Sequence, residues 1–349
     1  MWFVNLVVRL MRTLAATVVR RLTTGPLLAS WGWPTELGVA ALREFLGTLE
    51  DIPQPALRRF ERQSNRAPLL RPQRTVVTRT SSALGGVGAD WLEPARPTDA
   101  TVLYLHGGGY VSCSPGTHRH FTSALAWIAR SRVVAIDYRL APEHPYPAAV
   151  EDAVAAYEAL LADGVDPRTL FVAGDSAGGG LTLLTLLELK RRGLAQPAGA
   201  VCLSPYTDLT WSSDSWRTNT AYDYLPSTAS SGRLRELLSS WFGGHDPADP
   251  RLSPLFADLA GLPPLLVIAG EVELLVDDSR RFVAAARAAG VDVTYVEAAD
   301  MVHVYPIVLP LSRPAMEAAA LVADFVADHT GAVATRGAPG PPDRIGLSA

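Results

Sequence analysis

Ser176 lies in Gly174-Asp175-Ser176-Ala177-Gly178, a G-x-S-x-G pattern. An apolar run over 170–173 precedes it and a helical pattern over 177–192 follows. A serine on a strained strand-to-helix turn has its hydroxyl lifted above the sheet, beside the positive end of a helix. The flanking glycines let the chain turn without a Cβ clash, and the product is a nucleophile placed for acyl transfer. The five-residue pattern is weak alone and strong in this strand–turn–helix context. A second loop, His106-Gly107-Gly108-Gly109, follows the apolar run over 101–105. Its glycines allow backbone N–H groups to face a developing oxyanion, and the N–H of Ala177 completes a three-donor hole. The same run makes a poor phosphate loop, since no lysine follows and the glycine spacing fits neither nucleotide-binding pattern.

These loops need a frame, and the sequence supplies one. Apolar runs over 101–105, 132–137, 170–173, 200–203, 265–269 and 291–296 read as buried strands. Helical patterns cover 148–163, 177–192, 277–289 and 313–328. Strands that are apolar throughout, separated by helices, imply a mainly parallel sheet covered on both faces. Between Asp208 and Asp249 the alternation gives way to Trp-, Ser- and Thr-rich sequence. An insertion there suits a cap over the active face.

The composition narrows the function classes. The chain has 349 residues, 48% of them apolar, enough for one large α/β domain with a cap. A formal net charge of −4 leaves no polyanion-binding balance, so no nucleic-acid partner is expected. Two cysteines, Cys113 and Cys202, are too few for a disulfide framework or a structural zinc site. No apolar run reaches the ~18 residues of a membrane span, which points to a cytoplasmic protein. Residues 1–21 carry Arg9, Arg12, Arg20 and Arg21 and no acid, and read as a basic amphipathic helix. Such a helix suits packing on its own domain or peripheral contact with a membrane. Residues 331–349, rich in Gly, Ala and Pro, read as a disordered tail.

Taken together, His106–Gly109 with Tyr110, Asp137-Tyr138-Arg139-Leu140-Ala141-Pro142-Glu143, the Ser176 motif and Met301-Val302-His303 resemble the hormone-sensitive-lipase family, in its bacterial esterase branch. The resemblance spans roughly residues 35–330. It implies an α/β-hydrolase fold with a mainly parallel eight-stranded sheet flanked by helices and a helical cap. Residues 1–50 would contribute to that cap, residues 51–330 would form the catalytic domain, and the cap insertion would span about 209–249. A Ser–acid–His triad is implied as well.

The order of the triad in this fold is serine, acid, histidine. Of seven histidines, His303 follows the last strand and precedes the final helix, so it is the base. His118 and His120 come too early, and His329 falls at the end of the last helix. The family pattern for the acid is Asp-Pro-Leu-x-Asp-Glu. This chain has Glu273-Leu274-Leu275-Val276-Asp277-Asp278 instead, a departure that puts Glu273 at the catalytic position. Glu271 competes for the role, while Asp277 and Asp278 read as the N-terminal cap and first turn of the next helix. Asp175 is expected to brace the elbow.

This chemistry calls for no metal and no organic cofactor. The expected reaction is hydrolysis of a small-molecule ester with a short-to-medium acyl group. Tyr110, Tyr206, Trp211 and Trp216 are candidate substrate-binding residues, although aromatic residues in an insertion also serve to pack it down. The run from Leu203 to Thr210 resembles that of lactone hydrolases, the nearest alternative. Plant hormone receptors share this fold without the catalytic histidine, so a binding-only protein would show a damaged triad. The family resemblance is also compatible with a homodimer.

Overall fold

The computed structural model describes residues 2–49, 52, 54–66, 76–225 and 232–330. One eight-stranded sheet organises them. Its strands are β1 Val77–Leu84, β2 Val87–Pro94, β3 Thr101–Leu105, β4 Arg132–Asp137, β5 Leu170–Asp175, β6 Gly199–Leu203, β7 Leu265–Gly270 and β8 Val293–Ala298. The spatial order is β1-β2-β4-β3-β5-β6-β7-β8. Only β2 runs against its neighbours β1 and β4; all other pairs are parallel. The last strand begins two residues later than its apolar pattern suggests. Asp292 instead uses its carbonyl to receive the Leu265 amide at the entrance to the ladder.

Strands β3, β5, β6 and β7 are buried along their whole length, which is why they read as continuous apolar runs. Their side chains alternate between two cores. Val102, Tyr104, Phe171 and Val201 point to a face covered by α4 (Pro115–Ile128) and α10 (Arg313–His329). Leu103, Leu105 and Val172 point to the opposite face, beneath α5 (Ala148–Ala162) and α6 (Ala177–Arg192). Farther along that face, Cys202 and Val267 meet Leu183 and Leu186 of α6 and Phe282 of α9 (Val276–Ala288). The sheet thereby brings the loops after β3, β5, β6, β7 and β8 to one edge.

The N-terminal segment forms α1 (Trp2–Thr24) and α2 (Trp33–Leu49), followed by α3 (Gln54–Arg66). The amphipathic helix expected at the start of the chain is present, but much of its basic side faces inward. Arg9 Nε and Thr13 Oγ1 donate to Glu44 of α2 at 2.7 and 2.8 Å. Arg20 and Arg21 both pair with buried Glu36. Outward, at spacings of three and four residues, stand Val8, Met11, Ala15, Val19 and Leu22. After α1, buried Trp31 donates its indole N–H to the carbonyl of Asp300 at 2.7 Å, three residues before His303.

Among its described residues, the segment between β6 and β7 contains two short α-helices, α7 (Ser215–Thr218) and α8 (Gly232–Ser239). Asp277 and Asp278 hold it down. Ser213 Oγ and the Asp208 amide donate to Asp278 at 2.6 and 3.1 Å, and the Ser215 amide donates to Asp277 at 3.0 Å. Both acids lie in the first turn of α9, as expected, but the N-cap position belongs to Leu275 rather than to either of them. Their carboxylates are engaged with the insertion instead of the helix terminus. The tail expected over 331–349 lies outside the described residues.

Candidate active site

Ser176 sits between β5 and α6 with φ 54° and ψ −121°, a strained conformation for a residue with a side chain. The turn is enforced by contacts that only glycine permits. A Cβ on Gly174 would lie 2.3 Å from the carbonyl oxygen of Gly178, and one on Gly178 would lie 2.0 Å from that of Leu105. The Ser176 amide donates to the Leu203 carbonyl at 2.8 Å, fastening the elbow to the neighbouring strand. Asp175 and Ala177 are buried on either side, whereas Ser176 itself is partly exposed.

Glu273 and His303 are both buried, on the loops after β7 and β8. Glu273 Oε2 stands 3.8 Å from His303 Nδ1, an ion-pair separation longer than a hydrogen bond. The same Oε2 accepts from Ser204 Oγ at 2.6 Å and from the Gly270 amide at 3.0 Å. Ser204 also receives the Val304 amide at 3.0 Å, so one hydroxyl joins the acid to the base loop. Burial opposes protonation of His303, yet the carboxylates of Glu273, Asp223 and Asp175 outweigh it and raise its pKa above the ordinary imidazole value. Glu271 is exposed and accepts from the Asp300 amide at 3.0 Å. The structure thus brings Glu273, and not Glu271, against His303.

In the oxyanion loop the three glycines differ. The Gly107 amide donates to Asp175 Oδ1 at 3.0 Å, so it is already engaged. The Gly108 carbonyl accepts from the amides of Val111 and Ser112 at 3.1 and 3.0 Å, which closes the loop on itself. His106 is wholly buried, stacks on Tyr138 at 4.2 Å and directs Nδ1 to the Gly107 carbonyl. Burial, aided by the neighbouring His118, pushes its pKa down to about 3, which suits a structural histidine. Asp175 gathers Tyr104 Oη at 2.6 Å and His118 Nε2 at 3.3 Å as well. Although burial works against both charges, the Asp175 pKa is lowered and that of His118 raised, as an ion pair requires. His120 turns away to the Ile307 carbonyl.

The candidate substrate-binding aromatics are mostly in the core. Tyr110 is 1% exposed and stacks on Trp241 at 3.8 Å, while Tyr206 and Trp216 are buried in the same cluster. Trp211 is half-buried beneath the Arg235 guanidinium. These residues pack the insertion onto the sheet. One insertion side chain reaches the oxyanion loop directly. Leu238 of α8 stands where a Cβ on Gly109 would lie, 2.5 Å from its Cδ2.

Sequence reasoning gives no role to Ser204, Asn219 and Asp223, and sets His118 aside as a base. The one signal for Ser204 is a polar residue directly after an apolar strand. Asn219, Asp223 and the pairing of His118 with Asp175 reach the site through the fold alone.

Residues 102–307 match the family described as alpha/beta hydrolase fold. An acetyl-hydrolase of Streptomyces hygroscopicus is 44% identical over 264 residues, 71% of this chain and 87% of that protein. An esterase of Acinetobacter venetianus is 39% identical over 64% of this chain and 73% of its own. The crystal structure of an esterase from the bacterial hormone-sensitive lipase family superposes with a TM-score of 0.74 at 38% identity, covering 83% of this chain and 98% of that one. The eight-stranded sheet, the serine elbow and these relatives agree, and the chain belongs to the hormone-sensitive-lipase family of α/β hydrolases.

Proposed function

We propose that the chain is a serine carboxylesterase that hydrolyses short-to-medium acyl esters through an acyl-enzyme. The observation that carries this reading is buried Glu273 set 3.8 Å from His303 Nδ1, on loops joined by Ser204, the residue after the Leu203 whose carbonyl holds the Ser176 amide. Relatives named acetyl-hydrolase and esterase support the ester bond and a small acyl group. Ser176 Oγ attacks the carbonyl while His303 Nε2 takes its proton. Glu273 holds the imidazole in the required tautomer and stabilises the imidazolium. The 3.8 Å gap is of the kind that closes when substrate binds. The amides of Gly108, Gly109 and Ala177 receive the oxyanion. His303 then protonates the leaving alcohol, and water, activated by the same imidazole, frees the acid and restores Ser176.

The test is hydrolysis of p-nitrophenyl esters from acetate to palmitate by the wild type, Ser176→Ala, Glu273→Ala and Glu271→Ala. Activity that declines with chain length, vanishes in Ser176→Ala and nearly vanishes in Glu273→Ala is the expected result. Loss in Glu271→Ala alone would transfer the acid role. Inactivity on every ester, with turnover of lactones, would favour the lactone hydrolase. Inactivity on both, with binding retained, would favour a binding-only protein.

A second, additional role is favoured by the outward stripe of Val8, Met11, Ala15, Val19 and Leu22 on α1. We propose that it touches a lipid surface peripherally, with exposed Arg12 at its edge facing anionic headgroups. None of the described helices is long and apolar enough to cross a membrane. Co-sedimentation with anionic vesicles should be lost in Met11→Glu/Leu22→Glu while ester turnover is kept. Equal sedimentation of variant and wild type would remove this role.

A further inference from the structure

Asp223 lies in the insertion, outside every recognisable motif, and is 0% exposed. Its carboxylate nevertheless joins the two loops that carry the acid and the base. Oδ2 accepts from the Leu274 amide at 2.7 Å, one residue after Glu273. Oδ1 accepts from the Tyr224 amide at 2.7 Å and, at the long limit of 3.4 Å, from the amide of His303 itself. One turn earlier, Asn219 Nδ2 donates to the Glu273 carbonyl at 2.9 Å. The turn bearing Asp223 is gripped from the other side by Arg43 of α2. Its Nε donates to the Asp223 carbonyl at 3.0 Å, and its Nη2 to that of Ala221 at 2.8 Å.

We propose that Asp223 is a positioning residue whose carboxylate sets the distance between the Glu273 and His303 loops, with Arg43 linking that control to the N-terminal helices. The inference rests on the Ser176–Glu273–His303 reading above. Simple packing does not call for an acid here. Burial raises the Asp223 carboxyl to about 6, in spite of His303 and the Leu274 amide, which favour ionisation, while nearby Glu273 adds to the rise. A carboxyl raised in the folded state favours its protonated form, so its contribution to stability declines as pH climbs from about 4 to about 6. At neutral pH the ionised side chain is therefore carried against stability, as groups kept for function often are. The charged groups that face it are His303, Glu273 and Arg43. An asparagine would fill the same volume, but one of its two polar atoms would be an N–H donor facing an N–H donor.

The experiment compares Asp223→Asn and Arg43→Gln with the wild type in three readouts. These are kcat and KM on p-nitrophenyl acetate across pH, the rate of inactivation by diethyl p-nitrophenyl phosphate, and Tm. Asp223→Asn should lower kcat and the inactivation rate at least tenfold, leave KM within threefold and leave Tm within a few degrees. The acid limb of its kcat profile should move to lower pH, because His303 loses a neighbouring negative charge. Arg43→Gln should lower kcat and the inactivation rate about threefold without moving the acid limb to lower pH, and carries the test should Asp223→Asn fail to fold. Unchanged kcat and an unmoved limb in folded variants would overturn the inference, as would losses that merely follow Tm. Ser176→Ala and Glu273→Gln are measured alongside. If both are inactive while Asp223→Asn is normal, only the positioning role falls. If either keeps close to wild-type activity, the triad reading itself fails.

Discussion

Asp175 and Gly107 are joined by a hydrogen bond of 3.0 Å from the loop amide to the carboxylate, so the residue before Ser176 also holds the glycine loop proposed to receive the oxyanion. The contact is tight enough that a Cβ on Gly107 would lie 2.3 Å from Asp175 Oδ2. The elbow and the oxyanion loop thus share one anchor, itself held by Tyr104 and His118. Asp175→Asn keeps the volume and weakens the anchor by removing its charge. The expected loss in kcat on p-nitrophenyl acetate is on the order of 10²-fold, the effect of misplacing an oxyanion donor. KM should stay within about threefold. Steady-state kinetics decide it, and unchanged kcat would show that the glycine loop holds its shape unaided.

Activity at acid pH follows from His303. Its pKa is raised because surrounding carboxylates outweigh burial, and only the neutral imidazole can accept the Ser176 proton. Activity should therefore fall as pH drops through a value above the ordinary ~6.5 of histidine. Glu273→Gln removes the strongest of those carboxylates, so its residual activity should show an acid limb displaced to lower pH. A kcat/KM profile from pH 5 to 9 measures both. An identical limb in the variant would separate Glu273 from the base.

Stability should show a different acid dependence, governed by His106. Burial holds this ring neutral down to about pH 3, whereas in the unfolded chain it takes a proton near 6.5. The unfolded state binds more protons between those values, so stability declines as pH falls from about 6.5 toward 3. Its steepest contribution is about 1.4 kcal/mol per pH unit. His303, raised instead of lowered, contributes with the opposite sign and is lost as pH rises through its folded value. His106→Phe preserves the stacking on Tyr138 and cannot titrate. Urea midpoints at pH 7 and pH 5 should differ less in that variant than in the wild type, and equal differences would assign the acid loss elsewhere.

The contrast between local and distant contacts explains what the sequence could convey. Ser176 and the glycine loop are legible because their requirements are local: a strand, a turn without Cβ clashes, a helix. His303 is expected from chain order, and Glu273 from alignment with the family pattern Asp-Pro-Leu-x-Asp-Glu. Ser204 meets Glu273 across 69 residues and Val304 across 100, and Asp223 meets His303 across 80, distances that no periodicity encodes. Strands β1 and β2 escaped for another reason. Most of β1 is exposed, with Thr, Ser and Arg in place of an apolar run, and only the Gly85-Gly86 turn betrays the hairpin. The aromatic residues of the insertion could serve either to bind substrate or to pack it down, and burial of Trp216 and Trp241 shows the packing that residue type alone leaves open.

Leu238 offers a way to alter acyl preference. It projects from α8 against Gly109, so under the proposed mechanism its side chain limits the space next to the reacting carbonyl. Leu238→Ala removes three carbons from that wall. A longer acyl chain should then fit, and each methylene accommodated in an apolar pocket is worth about 1–3 kcal/mol of discrimination. The ratio of kcat/KM for p-nitrophenyl octanoate over acetate should rise by roughly fivefold or more. Because Leu238 is only half-buried, the stability cost should stay below the 2–5 kcal/mol typical of a fully buried Leu→Ala change. Chain-length profiles at matched concentrations of folded enzyme give the answer. A ratio that does not move would locate the acyl group on the other side of Ser176, away from the insertion.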